Sequence, residues 1–446
     1  MDNKTIYALS TIFGKSGIAV VRISGKDAFS IFEKMTSVKF ENFVSRKMYH
    51  TPLFNPVSRE TLDNCLIVGF KAPHSFTGED TVEINCHGSK AVIRSVIEAL
   101  SALPDFRMAE PGEFSRRAFY NGKMDLTEAD GLADLIDAET SLQQKIALKQ
   151  MGGALLNLYD SWRNKLVDIL SYIEAYIDFP DENIPENTVF KIENSVSELV
   201  EEIKNHVRAN NVSERLRDGF KVVIAGPTNA GKSSLINAIA KRNVAIVSDI
   251  AGTTRDVIDA YIDLDGYPII LSDTAGLRDS VDEVEQIGIK LAQEKIAEAD
   301  YKIFMFDAAE DKPEIFKNYA DNSGNYVLVA NKADKISDTE KQKLMQQGCL
   351  LISAKGNENI TVVTDKISSY FKGIISDNSS EIITRRRYKQ SLEECIENLQ
   401  RFNLQKEIEL SAEDIRLACR AIGKITGRVE VDEILDKIFS SFCIGK

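Results

Sequence analysis

Residues 226–233, Gly-Pro-Thr-Asn-Ala-Gly-Lys-Ser, constrain this chain more than any other stretch. They fit the pattern G-x-x-x-x-G-K-[ST]. They follow an apolar strand candidate at 221–225 and run into a helical pattern that begins near Gly231. That context is what the pattern requires. The glycines let backbone N–H groups wrap a phosphate chain, and the helix N-terminus adds positive potential. Lys232 is placed to reach the β- and γ-phosphates, and the Ser233 hydroxyl to hold Mg²⁺. Average residue frequencies put a chance match at roughly one or two per cent in a chain this long, so the surrounding elements decide the reading.

Three more elements follow in order. Asp273-Thr274-Ala275-Gly276 closes an apolar strand at 269–272, with Asp273 placed to support Mg²⁺ through water and the Gly276 amide to meet the γ-phosphate. Asn331-Lys332-Ala333-Asp334 ends a strand at 326–330, and Ser353-Ala354-Lys355 ends one at 349–352. The Asp334 carboxylate can accept from both N1–H and the 2-amino group of guanine. Adenine lacks that donor pair, so GTP is selected over ATP. The four elements resemble the Ras-like GTPase superfamily. Expected nucleotide contacts are Asn229, Ala230, Gly231, Lys232, Ser233 and Ser234, the segment Ser248, Asp249, Ile250, Ala251, Gly252, Thr253 and Thr254, and the three later elements.

Two positions depart from the common pattern. Many Ras-like GTPases follow D-x-x-G with a glutamine that orients the attacking water, and here Leu277 stands there. Hydrolysis then needs another group, and acidic candidates lie at 279–285. Asn229, inside the phosphate loop, is either a turn residue or, with residues 248–254, a source of oxygen ligands for a monovalent cation beside the phosphates. A cation there would neutralise developing charge as an arginine finger does.

The rest of the chain is organised around this α/β segment. Residues 1–118 read as mixed α/β, with strands at 17–23, 65–70 and 81–85 and a helix at 89–100. From Leu126 to Pro180 apolar residues recur at three- and four-residue steps, interrupted at Gly152-Gly153, and 189–207 forms another amphipathic helix. Between 219 and 376 short apolar strands alternate with helices, which implies a parallel sheet covered on both faces. Helical patterning returns after 377, where Ser411 and Asp414 read as a capping box. The fold class is therefore multidomain, α/β and all-α, with a P-loop α/β domain inserted into a helical domain.

Charge and cysteine content narrow the setting. A net charge of −13 excludes a chain that coats nucleic acid with bulk positive charge, although 385–389 (RRRYK) and Arg116-Arg117 are local basic runs. No apolar run reaches the roughly 18 residues of a membrane span, and the N-terminus leads into no signal-peptide core, so a cytoplasmic protein is expected. The six cysteines show no C-x-x-C spacing, which argues against a zinc ribbon or redox motif.

Motifs outside the GTPase signatures carry a second resemblance. They are Val21–Gly25 (VRISG), Ser75–Asp80 (SFTGED), Pro111–Ser115 (PGEFS), Ala133–Ala138 (ADLIDA), Asp178-Phe179-Pro180, Asp249–Asp256 (DIAGTTRD) and the terminal Phe439–Lys446 (FSSFCIGK). Over its whole length the chain resembles the tRNA-modification GTPase family MnmE, also called TrmE. The resemblance implies an N-terminal α+β domain of folate-binding type at 1–118 that dimerises, a helical domain in two parts at 119–212 and 377–446, and a Ras-like P-loop GTPase domain at 213–376. Arg22, Glu83 and Lys123 match folate-contacting positions, and Lys446 matches a lysine near that site. Cys443 matches a thiol considered catalytic. Asn229, Ser248, Ile250 and Thr253 match potassium ligands, and Thr254, with Ser233, a Mg²⁺ ligand. Glu285 matches the glutamate that orients water, and Arg255 and Arg278 match switch-region arginines.

The resemblance also implies a homodimer. An FAD-dependent partner of the MnmG (GidA) family would join it in a heterotetramer or larger complex. The activity would be K⁺-dependent GTP hydrolysis coupled to adding an aminomethyl or carboxymethylaminomethyl group at carbon 5 of tRNA wobble uridine. The one-carbon unit would come from 5-formyl- or 5,10-methylene-tetrahydrofolate. The chain has no G-x-G-x-x-G after a strand, consistent with flavin on the partner. The competing readings are a ribosome-assembly or signalling GTPase acting by recruitment, and a dimer scaffold with dead nucleotide chemistry.

Overall fold

A computed structural model describes residues 4–178, 186–209, 213–242, 259–274, 293–317, 324–374, 383, 385–404, 408–429, 435, 438–440, 442, 444 and 445. The chain forms two compact units, one of residues 1–133, 159–168 and 416–446 and one of 134–158 and 169–415.

The first unit is built on β1 (Thr5–Leu9), β2 (Ala19–Ser24), α1 (Ser30–Met35), β3 (Met48–Phe54), β4 (Thr61–Phe70), β5 (Thr81–Cys86), α2 (Lys90–Ser101), β6 (Phe106–Met108), α3 (Glu113–Tyr120) and α4 (Leu126–Ile136). The six strands form one sheet in the order β3-β4-β5-β2-β1-β6, antiparallel except for β1 with β6. Period-2 alternation sets the faces. Ala19, Val21 and Ile23 of β2 are buried in one core with Ile93, Val96 and Leu100 of α2. The intervening Arg22 turns to the other face, toward Phe76 and Phe114. The Ser89 hydroxyl caps α2 by accepting from Val92 N at 3.1 Å. The strands expected at 17–23, 65–70 and 81–85 are β2, β4 and β5.

The C-terminal segment belongs to this unit by close backbone approach. A Cβ at Gly112 (φ +66°) would lie 2.2 Å from the Phe439 carbonyl oxygen, and one at Gly445 (φ +104°) 2.2 Å from that of Leu9. Only glycine fits either position. The Ser10 hydroxyl donates to Gly445 O at 3.0 Å.

The second unit continues with α5 (Ser141–Met151), α6 (Ala154–Asp178), α7 (Glu186–Ala209), α8 (Ser213–Asp218), β7 (Phe220–Ala225), α9 (Lys232–Arg242), β8 (Asp259–Leu264), β9 (Tyr267–Asp273), β10 (Tyr301–Asp307), β11 (Tyr326–Asn331), α10 (Asp338–Gln346), β12 (Leu350–Leu351), α11 (Ile360–Ile374), α12 (Arg386–Arg401) and α13 (Ile408–Thr426); part of α6 and the end of α13 fall in the first unit. Its sheet runs β12-β11-β10-β7-β9-β8, parallel except for the edge strand β8. Both faces are covered, which is why the strands read as continuous apolar runs. Val222, Ile224, Ile303 and Met305 pack on Leu235, Ile236 and Ile239 of α9 and on α11, while Val223, Phe304 and Phe306 meet Ile296 and Phe316 on the other face.

One helical expectation is revised. Ser411 is no cap, because it lies inside α13 with its hydroxyl donating to Asn403 O at 2.8 Å, and Asp414 faces Arg401. Capping boxes open α5, where Thr140 Oγ1 accepts from Gln143 N and Gln143 Oε1 accepts from Thr140 N, and α10, where Ser337 Oγ accepts from Glu340 N and Glu340 Oε2 accepts from Ser337 N. Ile146 of α5 is buried in the core of the second sheet. Three residues of the basic runs are tied into the fold. Arg385 pairs with Asp134 at 2.6 Å, Tyr388 is fully buried, and Arg117 is buried between Glu79 and Glu113. Cys65, Cys86, Cys349 and Cys395 are buried and Cys419 half-buried, all with free thiols. Burial pushes Cys65 up to about 12 and Cys86 to about 11, as expected of packing residues. Among the described residues no helix is long and apolar enough to cross a membrane.

Candidate functional site

The phosphate loop joins β7 to α9 in a space that admits no side chains. A Cβ on Gly226 would fall 1.9 Å from the Met305 carbonyl oxygen, and one on Gly231 (φ +96°) 2.3 Å from Asn331 Nδ2. Asn229 takes φ +67°, a left-handed conformation that asparagine tolerates, and it also lines the cavity. Lys232 Nζ donates to Gly226 O and Pro227 O, each at 3.1 Å. Burial lowers its pKa, and the Asp273 carboxylate acts in the opposite sense. The Ser233 hydroxyl donates to Asp273 Oδ2 at 2.8 Å. A hydroxyl and a carboxylate thus meet at the helix start, the oxygen pair a Mg²⁺ beside phosphates requires.

Asn331 ties the loops together. Its Nδ2 donates to Ala230 O at 2.7 Å and its Oδ1 accepts from Ala354 N at 2.9 Å. Phosphate loop, β11 end and 353–355 loop are locked by one buried amide. They enclose a cavity of about 470 Å³ with Asn229, Lys232, Ser233 and Ser234 at one end and Lys332, Asp334, Ser353 and Lys355 at the other. The Ser353 hydroxyl, helped by Lys335 and Lys355, lowers the Asp334 pKa, so this carboxylate is an acceptor at neutral pH. Thr274 closes β9 with its hydroxyl donating to Ile224 O at 3.1 Å. These residues fit a guanine nucleotide with Mg²⁺: a cradle that side chains would block, a lysine and hydroxyl at the phosphate end, and an ionised acceptor at the base end.

A second polar cluster lies on the first unit's sheet. Arg22 and Glu83 are cross-strand partners, with Arg22 Nε donating to Glu83 Oε1 at 3.0 Å. The Arg22 guanidinium lies 5.0 Å from the Phe76 ring centroid and 5.8 Å from that of Phe114. The 75–80 loop bearing Phe76 is held by Arg117, which donates to Glu79 and Glu113, and by the Ser24 hydroxyl, which donates to Glu79 Oε2 at 2.8 Å. Lys123 sits beside Gly78 of the same loop. Arg22 and Lys123 therefore border one loop, and Glu83 is joined to it through Arg22.

The remaining expected site residues lie outside the described residues. They are Ser248, Asp249, Ile250, Ala251, Gly252, Thr253, Thr254, Arg255, Ala275, Gly276, Arg278, Glu285, Cys443 and Lys446, with Leu277. Sequence reasoning gave no role to Phe76 and Glu79, quoted only within a family motif, or to Arg117, read as part of a basic run, and it passed over Asp307, whose only signal is a carboxylate after the apolar run 303–306.

Two family models match the chain: "GTP-binding protein TrmE N-terminus" over residues 5–123 and "MnmE helical domain" over 126–443. The tRNA modification GTPase MnmE of Rickettsia canadensis (strain McKiel) is 45% identical over 447 residues, covering 99% of this chain and 100% of the relative. That of Wolbachia sp. subsp. Drosophila simulans (strain wRi) is 46% identical over 454 residues, covering 100% and 99%. Matched over nearly its whole length, the chain belongs to the MnmE family of tRNA modification GTPases.

Proposed function

We propose that this GTPase is activated by K⁺ and, with an FAD-dependent partner, installs an aminomethyl or carboxymethylaminomethyl group on carbon 5 of tRNA wobble uridine. In this reading Lys232 holds the β- and γ-phosphates, and Ser233 and Thr254 hold Mg²⁺ with Asp273 behind them. Asn229, Ser248, Ile250 and Thr253 surround the K⁺. Glu285 orients the attacking water in place of the glutamine that Leu277 replaces, and Arg255 and Arg278 steady the active switch conformation. The chain works as a homodimer in the cytoplasm, and its partner complex is a heterotetramer or larger.

A reduced folate supplies the one-carbon unit. Glu83 accepts from the guanine-like edge of its pterin, while Arg22, Lys123 and Lys446 take its anionic portion, with the Cys443 thiol nearby. The observation that carries this half of the reading is the seating of the C-terminal segment on the N-terminal sheet through Ser10 and Gly445, which brings residue 444 into a bridge with Pro111. The ion-paired Arg22–Glu83 couple offers complementary charges to a pterin and its tail. We expect 5-formyltetrahydrofolate to bind the full chain in equilibrium dialysis, and Glu83→Gln to bind it at least ~10-fold more weakly, the loss of one charge-assisted pair. Absence of binding to the unaltered chain would remove the folate half of the proposal.

A further inference from the structure

We infer that Asp307 is a positioning residue for the guanine base and acts through Lys332. Asp307 ends β10, a strand with all seven residues buried, and its side chain is only 5% exposed. It does not line the nucleotide cavity. Both carboxylate oxygens are engaged. Oδ1 accepts from Ala309 N at 3.0 Å, and Oδ2 lies 2.5 Å from Lys332 Nζ. The neighbouring backbone fixes the same geometry, because Asp307 sits in register with Asn331 and Ala308 N donates to Asn331 O at 2.9 Å.

Lys332 is pinned at both ends. Its backbone sits in the left-handed region (φ +61°, ψ +35°), unusual for a residue with a long side chain. Its ammonium is fixed by Asp307. Lys332 lines the cavity together with Asn331 and Asp334, and the four-carbon stem joins the two fixed points. An immobilised apolar stem is a ready surface for a purine ring, whereas a free lysine would lose its rotamer entropy on binding. Ion pairing also keeps the ammonium at the base end.

The direction of the effect separates this role from plain electrostatics. A nucleotide is an anion, so by Coulomb attraction alone removal of the Asp307 carboxylate would tighten binding. Positioning through Lys332 requires that it weaken. The contact is with the ring face, so it is indifferent to the 2-amino group that Asp334 reads.

The experiment measures GDP and IDP affinities of the full chain by fluorescence titration for Asp307→Asn, Asp307→Ala, Lys332→Ala and the double variant Asp307→Ala/Lys332→Ala. Asp307→Asn retains shape and the acceptor for Ala309 N, and its thermal unfolding reports on folding. We expect both Asp307 variants to weaken GDP and IDP by the same factor of ~10. In the Lys332→Ala background, Asp307→Ala should have no further effect, the signature of a contact acting wholly through its partner. Unchanged or tighter binding, a loss confined to GDP, or a loss that persists without Lys332 would each overturn the inference. The inference rests on the guanine-site reading, which a GDP-against-ADP comparison on the unaltered chain tests separately: failure there leaves the Asp307–Lys332 cycle to be judged on its own.

Discussion

Replacing Asp334 by asparagine is expected to weaken GTP binding at least ~100-fold and to let xanthosine triphosphate bind in its place. Guanine presents N1–H and a 2-amino group, two donors side by side. The Asp334 carboxylate answers with two acceptors, and the Ser353 hydroxyl with Lys335 and Lys355 keeps it ionised. Asparagine offers one acceptor and one donor. Its NH₂ would face a guanine donor, leaving both without a partner. Xanthine carries an oxygen where guanine has its amino group, so the asparagine NH₂ finds an acceptor and the preference inverts. Competition binding of the two triphosphates on the full chain checks this. An Asp334→Asn chain that still prefers GTP would place base selection elsewhere in the cavity. The rest of the site should be little disturbed, because Asn331 ties the three loops together and an asparagine at 334 keeps an acceptor for the Ser353 hydroxyl.

The second large effect concerns the cation. GTP turnover is expected to be at least ~10-fold faster in KCl than in NaCl at equal ionic strength. The argument starts from Leu277, which cannot orient water or stabilise charge. An arginine finger in related enzymes contributes roughly 10³–10⁵ in rate by neutralising charge on the phosphoryl group. This family member must obtain that stabilisation from another positive group. Asn229 lines the phosphate end of the cavity, and in the proposed reading its amide oxygen is a ligand of a monovalent cation. Carbonyl and amide oxygens held at a fixed radius discriminate between K⁺ and Na⁺ by size and field strength. Equal rates in the two salts would remove the cation role from Asn229, Ser248, Ile250 and Thr253 and leave Asn229 as a turn residue.

The nucleotide site was legible because its chemistry is local. Gly226, Gly231, Lys232 and Ser233 are adjacent in sequence, and the later elements each close an apolar strand, so spacing alone assembles them. The parallel strands of the sheet connecting them were equally readable, since strands covered on both faces leave continuous apolar runs such as residues 303–306. What escaped depends on partners distant in sequence. Arg117 looked like half of a basic run until Glu79 and Glu113 closed around it. Arg385 paired with Asp134 across some 250 residues. Ser411 had the spacing of a cap but sits inside a helix, whereas Thr140 with Gln143 and Ser337 with Glu340 form real ones. Asp307 gave only a weak signal because its importance depends on Lys332, which the fold alone brings within reach. The strands β1, β3, β6 and β8 were missed for the same reason, their pairing being set by neighbours and not by their own pattern.

The coupling of this GTP site to tRNA is the central claim, and mass spectrometry of tRNA wobble nucleosides tests it most directly. Cells lacking this chain should lose the carbon-5 aminomethyl-type uridines, expression of the unaltered chain should restore them, and a Lys232→Ala chain should not. Persistence of these nucleosides without the chain, or full restoration by Lys232→Ala, would contradict the account.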